Sequence, residues 1–186
     1  MDSDEATRLS AASALEQALK EELEAGRTDW EGLVGRILPA LIGGIGDRNK
    51  GVQVHSANCL QFLAYQSEAV IPALREAMRG AGSWRAWGAA IVFARLGLWS
   101  PEVGPALAGA MGAQDRDVRW AAAGYALQLG RKHAEAIDWV SALTTLGVDR
   151  LDSRIVAETW GSILKNRDDL ALASTRGAAW LVGENA

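Results

Sequence analysis

The sequence lacks the cysteine pairs of a disulfide framework, the usual ligands of a structural zinc site and the long apolar run of a membrane span. It contains one cysteine, Cys59, and two histidines among its 186 residues. A single thiol excludes an internal disulfide and leaves a structural zinc site without its usual ligands. This pattern is typical of a protein in a reducing compartment. No apolar run approaches the roughly 18 residues that indicate a membrane-spanning helix.

Positive charge is also in deficit. The 23 acidic residues outnumber the 19 basic ones, and the net charge is −4. This balance argues against duplex DNA and anionic membranes, which proteins bind mostly through surplus lysine and arginine. The sequence begins with an acidic segment, residues 1–5, and shows no apolar segment of a signal peptide there. We therefore expect a cytoplasmic protein. Most basic residues are arginine and few are lysine, which, with the many alanines and glycines, is typical of a GC-rich bacterium.

The sequence does contain an internal repeat. The segment Ile37–Leu41 recurs 33 residues later as Val70–Leu74 and again as Val103–Leu107, and it decays to Ala136–Val140. A fixed period of this length indicates helical units that stack on their neighbours.

Apolar residues at helical spacing predict helices along the whole chain and no strand. Ser67 and Ser100 are expected to cap the helices that follow them. Gly97 and Gly130 are expected to end helices with positive φ. The predicted helices lie near residues 5–24, 30–45, 52–66, 69–79, 84–98, 102–112, 116–130, 134–146, 152–166 and 169–182.

The third repeat carries a resemblance to a known family. Residues Asp115–Gly130 form an aspartate-rich turn, a Val-Arg pair and an alanine-rich helix that ends in Leu-Gly. This pattern resembles the second helix of a HEAT repeat of the phycobilisome-lyase-like subgroup, and residues 84–97 follow it more loosely. The resemblance covers residues 37–168. It implies an all-α fold, an α-solenoid of about four HEAT-like helix pairs with B helices on the concave face and capping helices at both ends.

We therefore predict a single α-solenoid domain over residues 1–186. An N-terminal cap and entry helix take residues 1–36, four repeats take residues 37–168, and a C-terminal capping helix takes residues 169–186. The last helix carries few charges, so it either packs on the fourth repeat or provides the contact of a homodimer.

The second helix of the third repeat, or B helix, is predicted over residues 116–130. One of its faces is predicted to be buried, yet the opposite face is also apolar. A rotation of 100° per residue separates the two faces. Trp87 and Trp120 occupy equivalent positions on the opposite face, and two interpretations stay open: the rings line a concave groove, or they fill the core. The predicted core face holds Val118, Ala122, Tyr125 and Leu129. The opposite face holds Arg116, Trp120, Ala123 and Leu127. In the preceding repeat, the face opposite the core holds Ser83, Trp87, Ala90 and Ala94.

The groove interpretation leads to a predicted function. Tryptophan and arginine most often dominate the binding energy of protein interfaces. We therefore expect a non-catalytic protein-binding module, an adaptor, scaffold or inhibitor such as a bacterial toxin-immunity protein, with another protein or peptide in the concave groove. The predicted partner-binding residues are Trp84, Trp87, Arg95, Arg116, Trp120, Leu127 and Arg131.

Two other functions use the same residues. HEAT-like alkylpurine DNA glycosylases surround a damaged nucleotide with concave tryptophans and one carboxylate, and Trp87 and Trp120 are similar in kind. A nucleic-acid-binding enzyme is therefore the alternative function, although the acidic net charge and the lack of an aspartate on that face argue against a nucleic-acid partner. A small-molecule pocket walled by Trp84, Trp87 and Trp120 is a third interpretation.

No other set of side chains indicates chemistry. His55 and Cys59 are four residues apart, but no acidic residue stands at helical spacing beside them, so we expect a buried thiol beside a satisfied histidine. Asp115 and Asp117 are expected to cap a helix, and Arg119 to pair with one of these carboxylates. We predict no catalytic residue, no cofactor, no metal and no enzymatic activity.

Overall fold

The computed structural model describes residues 3–27, 29–80 and 83–133 of the chain. These residues form helices and contain no strand, which confirms the all-α prediction for this part of the chain. The helices predicted over 134–146, 152–166 and 169–182, and with them the fourth repeat and the C-terminal cap, lie outside the described residues.

The described helices agree with the predicted ones to within three residues at either end. Regular spacing of apolar residues explains this agreement, because each helix needs one continuous face for the core. No helix in the described ranges combines the length and the apolar character needed to cross a membrane. The helices are α1 (Ser3–Glu24), α2 (Glu31–Gly44), α3 (Lys50–Leu63), α4 (Val70–Met78), α5 (Trp84–Arg95), α6 (Val103–Met111) and α7 (Arg116–Lys132).

Three helices begin after a polar capping residue. Asn49 precedes α3, Ser83 precedes α5 and Asp115 precedes α7, and the side-chain oxygen of each accepts hydrogen bonds from N–H groups of the first turn. Such a cap satisfies donors that have no partner inside the helix. The capping prediction for Asp115 is therefore confirmed, and the caps recur at nearly the repeat period.

The predicted ends of other helices are confirmed only in part. Gly97 has the expected positive φ of 70°, but α7 continues through Gly130 to Lys132. The Oγ of Ser67 accepts from the N–H of Ala69 at 3.3 Å, just before α4. The hydroxyl of Ser100 is buried without a hydrogen-bond partner among the described residues, so its predicted capping role is wrong. The reason is that the N–H of Val103, at the start of α6, donates to the carbonyl oxygen of Ser100 at 3.0 Å and not to its hydroxyl.

The described helices fall into two compact units, one ending at Leu96 and the other beginning at Gly97. In the first unit α2 packs against α3 and α4 packs against α5. These pairs also meet each other, with α2 against α4 and α3 against α5. The single domain predicted over residues 1–186 stays a prediction.

Helix α5 is the most enclosed element of the first unit. It contacts α2, α3 and α4, and its middle is buried on nearly every side. A helix that is apolar all round is expected to be buried in this way. Charged residues occur only at its two ends, at Arg85 and Arg95. The buried residues are Ala86, Ala89, Ala90, Val92, Phe93 and Ala94.

Glycines bring α5 and the end of α2 into direct contact. A Cβ atom on Gly88 would lie 2.6 Å from the carbonyl oxygen of Ile45 and 2.9 Å from its Cβ. A Cβ atom on Gly46 would lie 2.9 Å from the Cβ of Arg85. Backbone therefore meets backbone at this contact, which leaves no space for a larger residue.

Helix α1 runs parallel to α3 and packs along it. Asn49, just before α3, contacts Glu5 of α1, and His55 of α3 contacts Glu16 of α1. The contacts follow the same order along the two helices, which therefore run in the same direction. At the end of α3, the ring of Phe62 meets Trp30 edge-on, with centroids 5.4 Å apart. Polar contacts thus supply much of the attachment of α1.

In the second unit α6 packs against α7. The predicted core face of α7 is confirmed at Ala122 and Leu129, which are fully buried, while Val118 and Tyr125 are half-buried. Helix α6 is rich in alanine and glycine, so it packs closely against its partner. Its buried residues are Val103, Gly104, Ala106, Leu107, Ala108, Ala110 and Met111.

Arg119 binds the turn before α7, but through backbone carbonyls. Its Nη1 donates to the carbonyl oxygen of Ala113 at 2.8 Å and to that of Gln114 at 2.7 Å. The predicted ion pair with Asp115 or Asp117 is not among its described contacts. The capping role of Asp115 gives the reason, because its carboxylate already accepts two backbone N–H groups.

We expect Asn49→Ala to destabilise the protein by about 1–2 kcal/mol, because Asn49 both caps α3 and holds α1. Its Oδ1 accepts from the N–H groups of Gly51 and Val52, and its Nδ2 donates to Glu5 at 2.6 Å. Urea unfolding followed by circular dichroism measures the change. Asn49→Ser keeps a capping oxygen and loses the amide donor to Glu5, so its stability should fall between that of the wild type and that of Asn49→Ala. Wild-type stability in Asn49→Ala would contradict both roles.

Candidate functional site

The first turn of α5 carries two tryptophans that touch each other. Trp84 and Trp87 are three residues apart, a spacing that brings side chains together on a helix. Their ring centroids are 5.2 Å apart and the ring planes are inclined at 57°. The two indoles therefore form one continuous apolar surface.

This pair is only partly covered. Trp84 is 41% exposed and Trp87 is half-buried. The Nε1 of Trp87 is buried and has no hydrogen-bond acceptor among the described residues. Because a buried indole N–H usually has a partner, this arrangement is unfavourable for folding alone. The outer ring of Trp84 is open to contact.

Ser83 fixes the position of both rings. Its Oγ accepts from the N–H of Ala86 at 3.1 Å and donates to the carbonyl of Gly80 at 2.9 Å. Its own carbonyl accepts from the N–H of Trp87 at 3.1 Å. The turn that carries the rings is thus hydrogen-bonded on both sides.

Two exposed arginines accompany the tryptophans. Arg85 lies between them in sequence, and Arg48 belongs to the turn between α2 and α3. That turn touches α5 at Gly46, whose Cβ would lie 3.2 Å from the Cα of Arg85. Two further residues of chain place the Cα of Arg48 within roughly 12 Å of that of Arg85. We call the surface formed by Arg48, Trp84, Arg85 and Trp87 the α5 patch.

The charges of the α5 patch are not neutralised by described neighbours. Neither the guanidinium of Arg48 nor that of Arg85 makes an ion pair or a hydrogen bond with the described residues. The carboxylates of the adjoining segments have partners of their own. Asp47 pairs with the Nε of Arg8 at 2.8 Å, and Glu76 pairs with the Nη1 of Arg79 at 2.6 Å.

The predicted apolar face of α5 is open only near its N-terminus. Ser83 is exposed and Trp87 is half-buried, but Ala90 and Ala94 on the same face are fully buried. At these two alanines the core interpretation therefore holds and the groove interpretation is wrong. The physical reason is that α5 has helices on several sides, so it has no solvated face along its middle.

Arg95 is the one other predicted partner-binding residue whose side chain the structure describes. Arg95 is half-buried in the last turn of α5. Arg116, Trp120, Leu127 and Arg131 belong to α7, and their side chains lie outside the described part of the structure. The ladder of Trp87 and Trp120 stays a prediction, as does the small-molecule pocket that includes both.

A second polar cluster links α1 to α3 around Glu16. One carboxylate oxygen of Glu16 is 2.8 Å from the Nδ1 of His55 and accepts from the Nδ2 of Asn58 at 3.2 Å. The other accepts from the Nζ of Lys20 at 2.8 Å. His55 is therefore satisfied as predicted, but by an acidic residue 39 positions away, which helical spacing alone does not indicate.

The electrostatics of this cluster favour attachment rather than catalysis. Burial alone would raise the pKa of Glu16, but hydrogen bonds from Lys20, His55 and Asn58 outweigh it and lower the pKa to about 2. Burial, with the nearby charge of Glu16, raises the pKa of the Cys59 thiol to about 12. Cys59 is also 1% exposed. A protonated, buried thiol is a poor nucleophile, so Cys59 is poorly suited to nucleophilic chemistry in this position.

No group of three or more histidine, cysteine or carboxylate side chains suited to a metal occurs within the described ranges. A cavity of about 310 Å³ lies beside the Glu16 cluster, with Leu19, Phe62 and Tyr65 in its wall. Comparison with known proteins gives no match: no family model, curated protein or solved structure matches this chain.

Proposed function

We propose that the protein is a non-catalytic protein-binding module of the α-solenoid type, and that its binding surface includes the α5 patch. The observation that carries the proposal is the Trp84–Trp87 pair, which is partly exposed beside two arginines without described partners. Tryptophan and arginine together are the composition of binding hot spots. A single exposed apolar side chain needs no explanation, but two adjoining indoles, the outer one 41% exposed, form a contiguous apolar patch of the kind that marks binding sites.

The helix contacts of the first unit support the solenoid part of this proposal. First helices meet first helices, α2 against α4, and second helices meet second helices, α3 against α5. Stacking of equivalent elements is what successive repeats produce. We propose that the four repeats over residues 37–168 continue this arrangement as HEAT-like pairs.

The charge of the chain favours a protein partner over the nucleic-acid-binding enzyme. Its net charge is −4, which weakens binding to phosphate backbones.

Selection of peptides from a random phage-displayed library tests the proposed function. The wild-type protein is the bait, and Trp84→Ala is the counter-bait from which unwanted binders are removed. We expect enriched peptides whose affinity falls at least roughly tenfold in Trp84→Ala, the loss typical of a hot-spot tryptophan. Circular dichroism and thermal unfolding establish that the variant keeps the fold.

Tyr65→Ala is the matched control, because Tyr65 is an aromatic residue at the end of α3 that is 69% exposed. Peptides selected on the α5 patch should bind Tyr65→Ala as they bind the wild type. Equal loss in both variants, or enrichment that does not depend on Trp84, would overturn the assignment of the binding surface.

A further inference from the structure

We propose that the α5 patch binds an acidic peptide segment of another protein, through its carboxylates and one apolar or aromatic side chain. This inference rests on the proposed function and specifies the chemistry of the partner. It follows from the combination of positive charge without described partners and an exposed indole, at the first turn of α5 and the adjoining turn between α2 and α3.

The positive charge of the α5 patch is local, because the chain as a whole is acidic with a net charge of −4. Arg48 and Arg85 are exposed and lack ion-pair partners among the described residues. The folded chain uses the carboxylates nearest in sequence, Asp47 and Glu76, to neutralise other arginines. The two remaining guanidinium groups are therefore available to carboxylates that a partner brings.

Arginine suits this role better than a simple positive charge. Its planar guanidinium binds a carboxylate with two parallel hydrogen bonds. The Cα atoms of Arg48 and Arg85 lie within roughly 12 Å of each other, a span that an extended peptide covers with about four residues. Two acidic residues of one short segment can therefore reach both arginines.

The indole surface supplies the second part of the recognition. Trp84 contributes an exposed ring, and Trp87 extends the apolar surface behind it at a centroid distance of 5.2 Å. An apolar or aromatic side chain between the two acidic residues would cover this surface and remove it from water. Charge would direct the encounter, and burial of the indole would supply most of the affinity.

Fluorescence anisotropy with three labelled probes tests the inference on the full chain. The first probe is a peptide of glutamates around one central tryptophan, the second replaces every glutamate with lysine, and the third is a single-stranded oligothymidylate. We expect the acidic probe to bind and the other two to bind at least roughly tenfold more weakly. Added salt should weaken binding of the acidic probe, because the attraction between exposed charges is screened.

Charge-reversal variants assign the contacts. Arg48→Glu and Arg85→Glu should each weaken the acidic probe by roughly fivefold or more. Arg36→Glu is the matched control, because Arg36 is an exposed arginine of α2 whose Nε donates only to the carbonyl of Gly32 among its described contacts. It should change the affinity by less than about twofold, and unchanged helicity should accompany all three variants.

The outcomes separate this inference from the proposed function. Trp84-dependent peptides without acidic residues would overturn the inference and leave the protein-binding function standing. Equal binding of the lysine probe would also overturn the inference. Arginine-dependent binding of oligothymidylate in place of the acidic probe would overturn both, as would the absence of any Trp84-dependent peptide.

Discussion

Gly88→Ala is expected to destabilise the protein by about 2 kcal/mol, although alanine is the better helix former. The added Cβ would lie 2.6 Å from the carbonyl oxygen of Ile45 and 3.2 Å from its carbonyl carbon. These are backbone atoms, so no side-chain rotation relieves the overlap, and α5 must move away from α2. Loss of packing around the buried middle of α5 follows from that movement. The midpoint of urea unfolding measures the effect.

Gly35→Ala provides the matched control for this prediction. Gly35 lies inside α2, is exposed, and a Cβ at this position would meet nothing within 4 Å. The same substitution should therefore stabilise the protein by about 0.5–1 kcal/mol, since it only restricts the unfolded chain and favours the helix. Equal stabilisation by both substitutions would show that α2 and α5 are not in backbone contact at Gly88.

Acidification is expected to weaken the attachment of α1 by at most about 3 kcal/mol, through protonation of Glu16. Hydrogen bonds and the charge of Lys20 outweigh burial and lower the pKa of this carboxyl from 4.5 to about 2. A lowered pKa means that the stabilisation is fully present above the ordinary value and is lost as the pH falls towards 2. The free energy of unfolding, measured by urea titration across this range, should decline accordingly.

Glu16→Gln should remove most of this pH dependence and lower stability at neutral pH by about 2 kcal/mol, because three donors lose a charged acceptor. Glu21→Gln is the control, since Glu21 is exposed and its described side-chain contact is with Gln17 on the same helix. It should stay within about 0.5 kcal/mol of the wild type. Asp47, whose pKa is lowered by hydrogen bonds that outweigh its burial, and Glu22, whose pKa is lowered by its hydrogen bond with Arg27, contribute to the slope that remains in Glu16→Gln. An undiminished slope in Glu16→Gln would place the titrating group elsewhere.

Local features of the fold were predictable from the sequence, because they depend on neighbours along the chain. Apolar spacing located every described helix, and the turn chemistry of Asp115 and the glycine at Gly97 located two of their ends. Ser100 and Gly130 were assigned wrongly because capping depends on where a helix starts or stops by a residue or two. The first and last residues of a helix are determined by its packing as well as by the capping residue.

Contacts between distant segments were not predictable in the same way. Helical periodicity placed Ala90 and Ala94 on the face opposite the predicted core face. Periodicity distinguishes two faces of a helix, but it does not indicate how many other helices pack against it. The acidic partner of His55 was missed because Glu16 belongs to a different helix. Trp84 and Trp87 were singled out by residue type, but Arg48 was not, because only folding brings the turn before α3 next to α5.

The single thiol of the chain gives α1 a native reporter. Cys59 lies beside Leu19 and Lys20 of α1, where it is both shut off from solvent and held in its unreactive form. A thiol reagent can therefore modify it only during moments when the helices around it separate. The rate of labelling of Cys59 in the wild-type protein, compared with the rate of global unfolding, would measure how often α1 and α3 separate locally.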